Sequence, residues 1–184
     1  MKVAIIGMSP SCADAPWNRR TWEKWGLPWH NGYWKRCDRL FEMHDLRLLN
    51  SQHSTRPKDY LDRLALADVP VWMQDDYLPN SIAYPFEKVA KSIGAAYWNS
   101  SIAYAMALAI HEKADEIGIW GVDMQGSDEY GYQKPNMEYL VGVARGKGIK
   151  VTIPNSSPLC KFTGRGIKFC GHEPEYIDRY GWLG

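Results

Sequence analysis

The stretch Asn99-Ser-Ser-Ile-Ala-Tyr-Ala-Met-Ala-Leu-Ala-Ile-His-Glu-Lys113, followed after two residues by Glu116-Ile-Gly-Ile-Trp-Gly-Val-Asp-Met124, decides the fold. Ala, Leu and Met have high helix propensity. Asn99, Ser100 and Ser101 stand just ahead of them and supply side-chain caps, so the spacing predicts a helix over residues 102–113. Little charge interrupts it, which places the helix in the interior. Residues 116–124 have apolar side chains on both faces, the pattern of a strand covered on both sides in a parallel sheet.

Working outward, residues 2–7 (Lys-Val-Ala-Ile-Ile-Gly) read as a second buried strand. Residues 17–34 hold five tryptophans, with Gly26, Pro28 and Gly32 as breakers, and read as a short strand at 22–27 followed by a loop. Residues 38–44 alternate polar and apolar like a strand. Pro57 suits the first turn of a helix over 58–68, and 69–74 form the next strand. A loop over 79–85 leads to a helix over 86–93 closed by Gly94, and Tyr97 is assigned to a short edge strand. Beyond Asp123 a polar loop runs to a helix over 136–147 closed by Gly148, and 150–153 form the last strand. The repeated strand, helix, strand order implies right-handed crossovers and an α/β fold, doubly wound, with a mainly parallel sheet in three layers.

At 184 residues the chain is expected to hold one domain over 1–162. The glycine-rich segment 163–184 reads as an irregular C-terminal tail packed on it. Lys plus Arg, 22, nearly balance Asp plus Glu, 21, so no strong nucleic-acid binding is expected and a small-molecule partner is favoured. The apolar run at the N-terminus is too short for a signal peptide or a membrane span, which gives the expectation of a cytoplasmic protein without membrane attachment. Cytoplasmic cysteines stay reduced. Cys160, Cys170 and His172 match no common zinc spacing, so no metal site is assigned. The subunit number is left open, a homo-oligomer included.

Ligands of open parallel sheets bind at the carboxyl ends of the strands. The residues just after each strand are therefore the candidates. Gly7, Ser9 and Ser11 follow the first strand, where a glycine allows close backbone approach and serines can donate to a phosphate. The alternative is a plain strand-to-helix turn. Asn99, Ser100 and Ser101 stand at a helix N-terminus, where free N–H groups attract anions, although capping alone accounts for them equally well. Tyr130, Tyr132 and Lys134 in the polar loop can add hydroxyls and a charge. Asp123 can hold a ribose hydroxyl, a metal or the neighbouring backbone. His44, with Glu42 one strand step behind it on the same face, is the best-placed base. His53 and His111 are not candidates, and no Ser-His-Asp or paired-histidine arrangement is defensible.

The segment 99–123 resembles one shared by archaeal-type 6-hydroxymethyl-dihydropterin diphosphokinases and small bacterial sialyltransferases, in which a serine-led helix precedes a strand ending Gly-x-Asp. Gly7-x-Ser-Pro-Ser11, Tyr130, Tyr132 and Ile153-Pro-Asn-Ser156 extend the likeness. Over residues 1–162 the chain resembles a group of small tailed-bacteriophage proteins that share Glu42-Met-His-Asp45, Glu129-Tyr130 and Tyr132-Gln-Lys-Pro-Asn136. The resemblance implies a Rossmann-like fold in which Gly7 to Ser11, Ser100, Ser101 and the tyrosine loop surround a nucleotide's phosphates. Sialyltransferases carry a catalytic histidine after the tyrosine loop, where this chain has Gln133-Lys-Pro-Asn136. The diphosphokinases use an acidic metal site, for which Asp123 with Asp128 or Glu129 is the counterpart.

Two functions follow as expectations. One is a nucleotide-dependent transferase of phage origin, moving a diphosphate or glycosyl-type group from a nucleotide or nucleotide-sugar donor, with magnesium as a candidate companion, His44 and Asp123 as catalytic groups, and the acceptor held by the tryptophan-rich loops. The other is a non-catalytic protein that binds a nucleotide or signalling molecule in phage–host conflict.

Overall fold

The computed structural model describes residues 1–28, 33–51, 54, 56–124 and 128–161. The tail expected over 163–184, with Cys170 and His172, lies outside the described residues, as do His53 and residues 125–127 of the polar loop. Seven parallel strands form one sheet: β1 (Lys2–Ile6), β2 (Trp22–Gly26), β3 (Arg39–Phe41), β4 (Val71–Met73), β5 (Ser81–Ala83), β6 (Glu116–Trp120) and β7 (Lys150–Thr152), in the order β5-β4-β3-β2-β1-β6-β7. The chain starts at β1 and steps outward to β5. It then returns through α3 (Phe86–Ile93) and α4 (Ser101–His111) to lay β6 on the other side of β1, and α5 (Asp128–Gly146) leads to β7. The order reverses between β1 and β6, so a crevice opens there at the carboxyl ends of the strands.

Alternation along β1 sorts the core. Val3 and Ile5 join Ile117, Ile119 and the buried face of α4, while Ala4 and Ile6 pack with Trp22 and Trp120 on the opposite face. Under β3 and β4 that second face is covered by α2 (Tyr60–Ala65), whose Tyr60 and Leu64 meet Leu40, Val71 and Met73. The result is an α/β, Rossmann-like, doubly wound sheet in three layers, and the sheet is wholly parallel. α4 is buried as its composition requires, from Ile102 to Ile110 apart from half-buried Tyr104. No helix among the described residues is long and apolar enough to cross a membrane.

Three local expectations change. The edge strand is β5, inside the segment expected to be loop, because register with β4 (Val71↔Ser81, Met73↔Ala83) makes a strand of residues with no apolar run. Tyr97 lies in coil and is exposed. The polar loop is short, because α5 starts at Asp128 and continues through Pro135. The proline removes one rung of the helix ladder. Met137, Leu140 and Val141 nevertheless bury one face of α5 in the core, and packing outweighs the lost rung. A short α1 (Leu46–Leu49), capped by Asp45, also had no sequence signal strong enough to predict it.

The ends of β1 and β6 meet through glycines. A Cβ on Gly7 would stand 2.2 Å from the Gly121 carbonyl oxygen, and one on Gly121 would stand 2.5 Å from that of Gly7. Gly121 also has φ of +66°. A left-handed residue with a side chain costs about 1–2 kcal/mol before any clash. Gly121→Ala is therefore expected to destabilise the fold by about 2–4 kcal/mol, read as a lower denaturant midpoint at unchanged slope, whereas Gly142→Ala, at an open position inside α5, is expected to stabilise by up to about 1 kcal/mol. An unchanged midpoint for Gly121→Ala would show that the strand ends can separate freely.

Candidate functional site

A cleft of about 380 Å³ lies over the β1/β6 crevice. Its floor is Gly7, Gly121 and Val122; Ser9 and Met8 form one rim and Leu27 and Pro28 another. Asn99, Ser100, Ser101 and Ile102 bring in the N-terminus of α4, and Glu129, Tyr130 and Gln133 bring in the first turns of α5. Phe41, Glu42, His44 and Arg56 close the remaining wall.

The α4 end leaves backbone donors open to the cleft. The Ser100 hydroxyl accepts from the Ala103 N–H at 3.3 Å, which leaves the Ser101 and Ile102 N–H groups with no acceptor among the described residues. The Ser101 hydroxyl accepts from the Met43 N–H at 3.1 Å, so its own proton is available to a ligand. Asn136, fully buried on α5, holds the approach to this helix. Its side chain accepts from the Asn99 N–H at 3.2 Å and donates to the Tyr97 carbonyl.

His44 lines the same cleft. Its Nδ1 pairs with Glu42 Oε1, while Nε2 has no partner among the described residues. The His44 side chain is 46% exposed and that of Glu42 only 2%. The second Glu42 oxygen accepts from the Tyr60 hydroxyl and lies 3.6 Å from the Arg56 guanidinium. Burial opposes ionisation of Glu42, but the hydrogen bonds from His44 and Tyr60 and the Arg56 charge outweigh it and hold the carboxyl below its ordinary value. The Glu42 hydrogen bond lifts the His44 pKa above that of an ordinary histidine, against partial burial. Gln74 donates to the Met43 carbonyl at 2.9 Å, so Ser101 and Gln74 clamp the peptide that leads into His44.

The structure thus brings together Gly7, Ser9, Asn99, Ser100, Ser101, Tyr130 and His44. It places the other candidates elsewhere. The Ser11 hydroxyl is buried, accepting from the Gly121 N–H at 2.7 Å and donating to Asp123 at 2.6 Å. These two residues brace the 3-10 turn Pro10–Asp14 instead of facing the cleft. Tyr132 is 75% exposed, with its backbone carbonyl taking the Asn99 side-chain amide, and Lys134 lies 3.9 Å from Glu138 one turn on. Among the described residues no three His, Cys, Asp or Glu side chains gather as metal ligands, and the Asp128 side chain lies outside the described set. Trp22 and Trp25 fill the core on opposite faces of β2, and residues 29–32 are outside the described set. Arg56, Tyr60 and Asn136 are the site residues that sequence reasoning missed, and Glu129 was named there only as the counterpart of a metal ligand; the Glu42–His44 spacing alone hinted at the network that Arg56 and Tyr60 complete.

No model of a known protein family matches the chain, and no curated protein matches it in sequence. Solved structures do. The sialyltransferase CstII from Campylobacter jejuni, in complex with the substrate analogue CMP-3FNeuAc, matches with a TM-score of 0.54 at 18% identity, over 84% of this chain and 81% of that one. Its complex with cytidine-5'-monophosphate gives 0.54 at 19%, over 84% and 80%. The CST-II complex with a trisaccharide acceptor and CMP gives 0.53 at 18%, over 85% and 82%. At these identities the likeness is one of fold.

The directions of the two pKa shifts fix a pH dependence. The raised His44 pKa stabilises the fold fully below the ordinary value of 6.5 and loses its effect as pH rises through the raised value. The lowered Glu42 pKa stabilises above 4.5 and is lost as pH falls through the lowered value. The stability gap between wild type and Glu42→Gln is therefore expected to peak between pH 4.5 and 6.5 and to narrow on either side, in denaturant titrations across pH. A gap independent of pH would mean that the pair carries no charge interaction.

Proposed function

We propose that this chain is a nucleotide-dependent transferase that moves a glycosyl-type group from a nucleotide-sugar donor to a hydroxyl acceptor. One observation carries the reading. His44 Nε2 and the unbonded N–H groups of Ser101 and Ile102 line one cleft at the switch point of the sheet. The donor phosphate is assigned to the α4 end, with Ser9 and Tyr130 at its rim. The acceptor oxygen attacks the anomeric carbon, its new C–O bond forming as the bond to the phosphate oxygen breaks. The acceptor proton passes to His44 Nε2, and Glu42 stabilises the imidazolium. The leaving nucleotide keeps the electron pair on a phosphate oxygen, which the helix N-terminus is oriented to receive. The fold likeness to structures that hold CMP and a trisaccharide supports this by analogy.

Glycosyl transfer is preferred over diphosphate transfer because Asp123, the carboxylate expected to serve magnesium, is engaged by Ser11. One feature also favours a second reading. Its raised pKa tends to keep His44 positively charged, which suits plain retention of an anionic nucleotide or signalling molecule. The resemblance to tailed-phage proteins supports placing either activity in the cytoplasm of an infected bacterium.

Incubation with CMP-sugars and other nucleotide sugars, with and without magnesium and with oligosaccharide acceptors, is expected to release nucleotide in an acceptor-dependent way. His44→Ala is expected to lower that rate by about 10²–10⁴ while leaving the nucleotide-induced rise in melting temperature. The wild-type rate is expected to climb with pH through a value above 6.5, where His44 becomes neutral. A nucleotide that raises the melting temperature and is returned intact with every acceptor would establish the binding protein instead. No rise with any nucleotide would overturn both.

A further inference from the structure

Behind His44 lies a residue that cannot touch substrate. Tyr60 is 6% exposed, packed by α2 against Leu40, Val71 and Met73, and is not part of the cleft wall. Its hydroxyl nevertheless donates to Glu42, the carboxylate that His44 Nδ1 engages from the cleft side. Glu42 thus divides its two oxygens, Oε1 for His44 and Oε2 for Tyr60, with Arg56 3.6 Å from the second. Packing alone would be served by phenylalanine. A phenol hydroxyl buried against a carboxylate makes a charge-assisted bond and draws negative charge from the oxygen that serves the imidazole.

We propose that Tyr60 is a positioning residue, acting through Glu42 to set how tightly His44 holds its proton. Its consequence for transfer rests on the reading of His44 as the proton acceptor. The groups facing His44 are Glu42 on its own strand end, Arg56 ahead of α2, and Glu129 on α5; Asp45 beside it is occupied by Arg47. Glu42 and Glu129 favour the imidazolium and Arg56 opposes it. Tyr60 bears on this balance through the hydrogen bond it donates to Glu42, which draws on the carboxylate's charge. With the phenol gone, more of that charge falls on His44, and the imidazole binds its proton more strongly.

NMR titration of His44 in the full chain, with no nucleotide present, tests this. Tyr60→Phe is expected to raise the His44 midpoint by about one pH unit, a tenfold gain in proton affinity, and Glu42→Gln to lower it. A Tyr60→Phe midpoint equal to wild type, with only the melting temperature reduced, would overturn the proposal and leave Tyr60 a packing residue. In wild-type protein, where no variant has to fold, the Tyr60 Cζ resonance is expected to step at the His44 midpoint. A flat resonance there would overturn it equally. Because proton binding is read without donor or acceptor, a missing transferase activity would leave this result standing. If activity is present, its rising pH limb is expected to move with the midpoint in Tyr60→Phe.

Discussion

Gly7 and Gly121 touch backbone to backbone at the ends of β1 and β6, and the placement of the cleft follows from that contact. Gly7 N–H donates to the Trp120 carbonyl at 2.8 Å and Ser9 N–H to the Gly121 carbonyl at 3.0 Å, so sheet pairing continues past the last strand residues. The Ser11 hydroxyl then accepts from the Gly121 N–H and donates to Asp123, tying the two chain exits together. A side chain at either glycine would push backbone against backbone, where no flexible group can yield. The crevice above this contact is lined by the α4 and α5 ends and by the residues that follow β3.

The second organising feature is the buried carboxylate of Glu42. Glu42 is tolerable there because His44, Tyr60 and Arg56 meet its oxygens, and a charge left unpaired at that depth would cost several kcal/mol. The same network aims an imidazole nitrogen at the cleft. Ser101 joins the two halves of the site, since one residue begins α4 and also holds the Met43 peptide ahead of His44. The α4 end and the His44 segment are in this way built as one unit, although Met43 and Ser101 are 58 residues apart.

What could be read from the sequence follows from which forces are local. The two-faced apolar runs of β1 and β6 and the alanine-rich α4 declared themselves, and with them the doubly wound sheet. The strand-end rule then located Gly7 and Ser9, the capping signal at the start of α4 located Asn99, Ser100 and Ser101, and the two-residue spacing placed Glu42 beside His44. Strand β5 depends on pairing with β4, which no local pattern reports. The first turns of α5 were hidden by Gly131 and Pro135. Without a helical phase, Tyr130, Tyr132 and Lys134 looked equivalent. On the helix, Glu129, Tyr130 and Gln133 share the face toward the cleft, and Tyr132 and Lys134 do not. Ser11 and Asp123 were legible as polar residues at strand ends, but only three-dimensional proximity reveals that they satisfy each other.

The most direct test of the account is a crystal structure of the protein with cytidine-5'-monophosphate. The account predicts phosphate oxygens within about 2.7–3.2 Å of the Ser101 and Ile102 N–H groups, with His44 Nε2 facing the open part of the cleft beside the phosphate. A nucleotide bound elsewhere, or one whose phosphate avoids the N-terminus of α4, would contradict it.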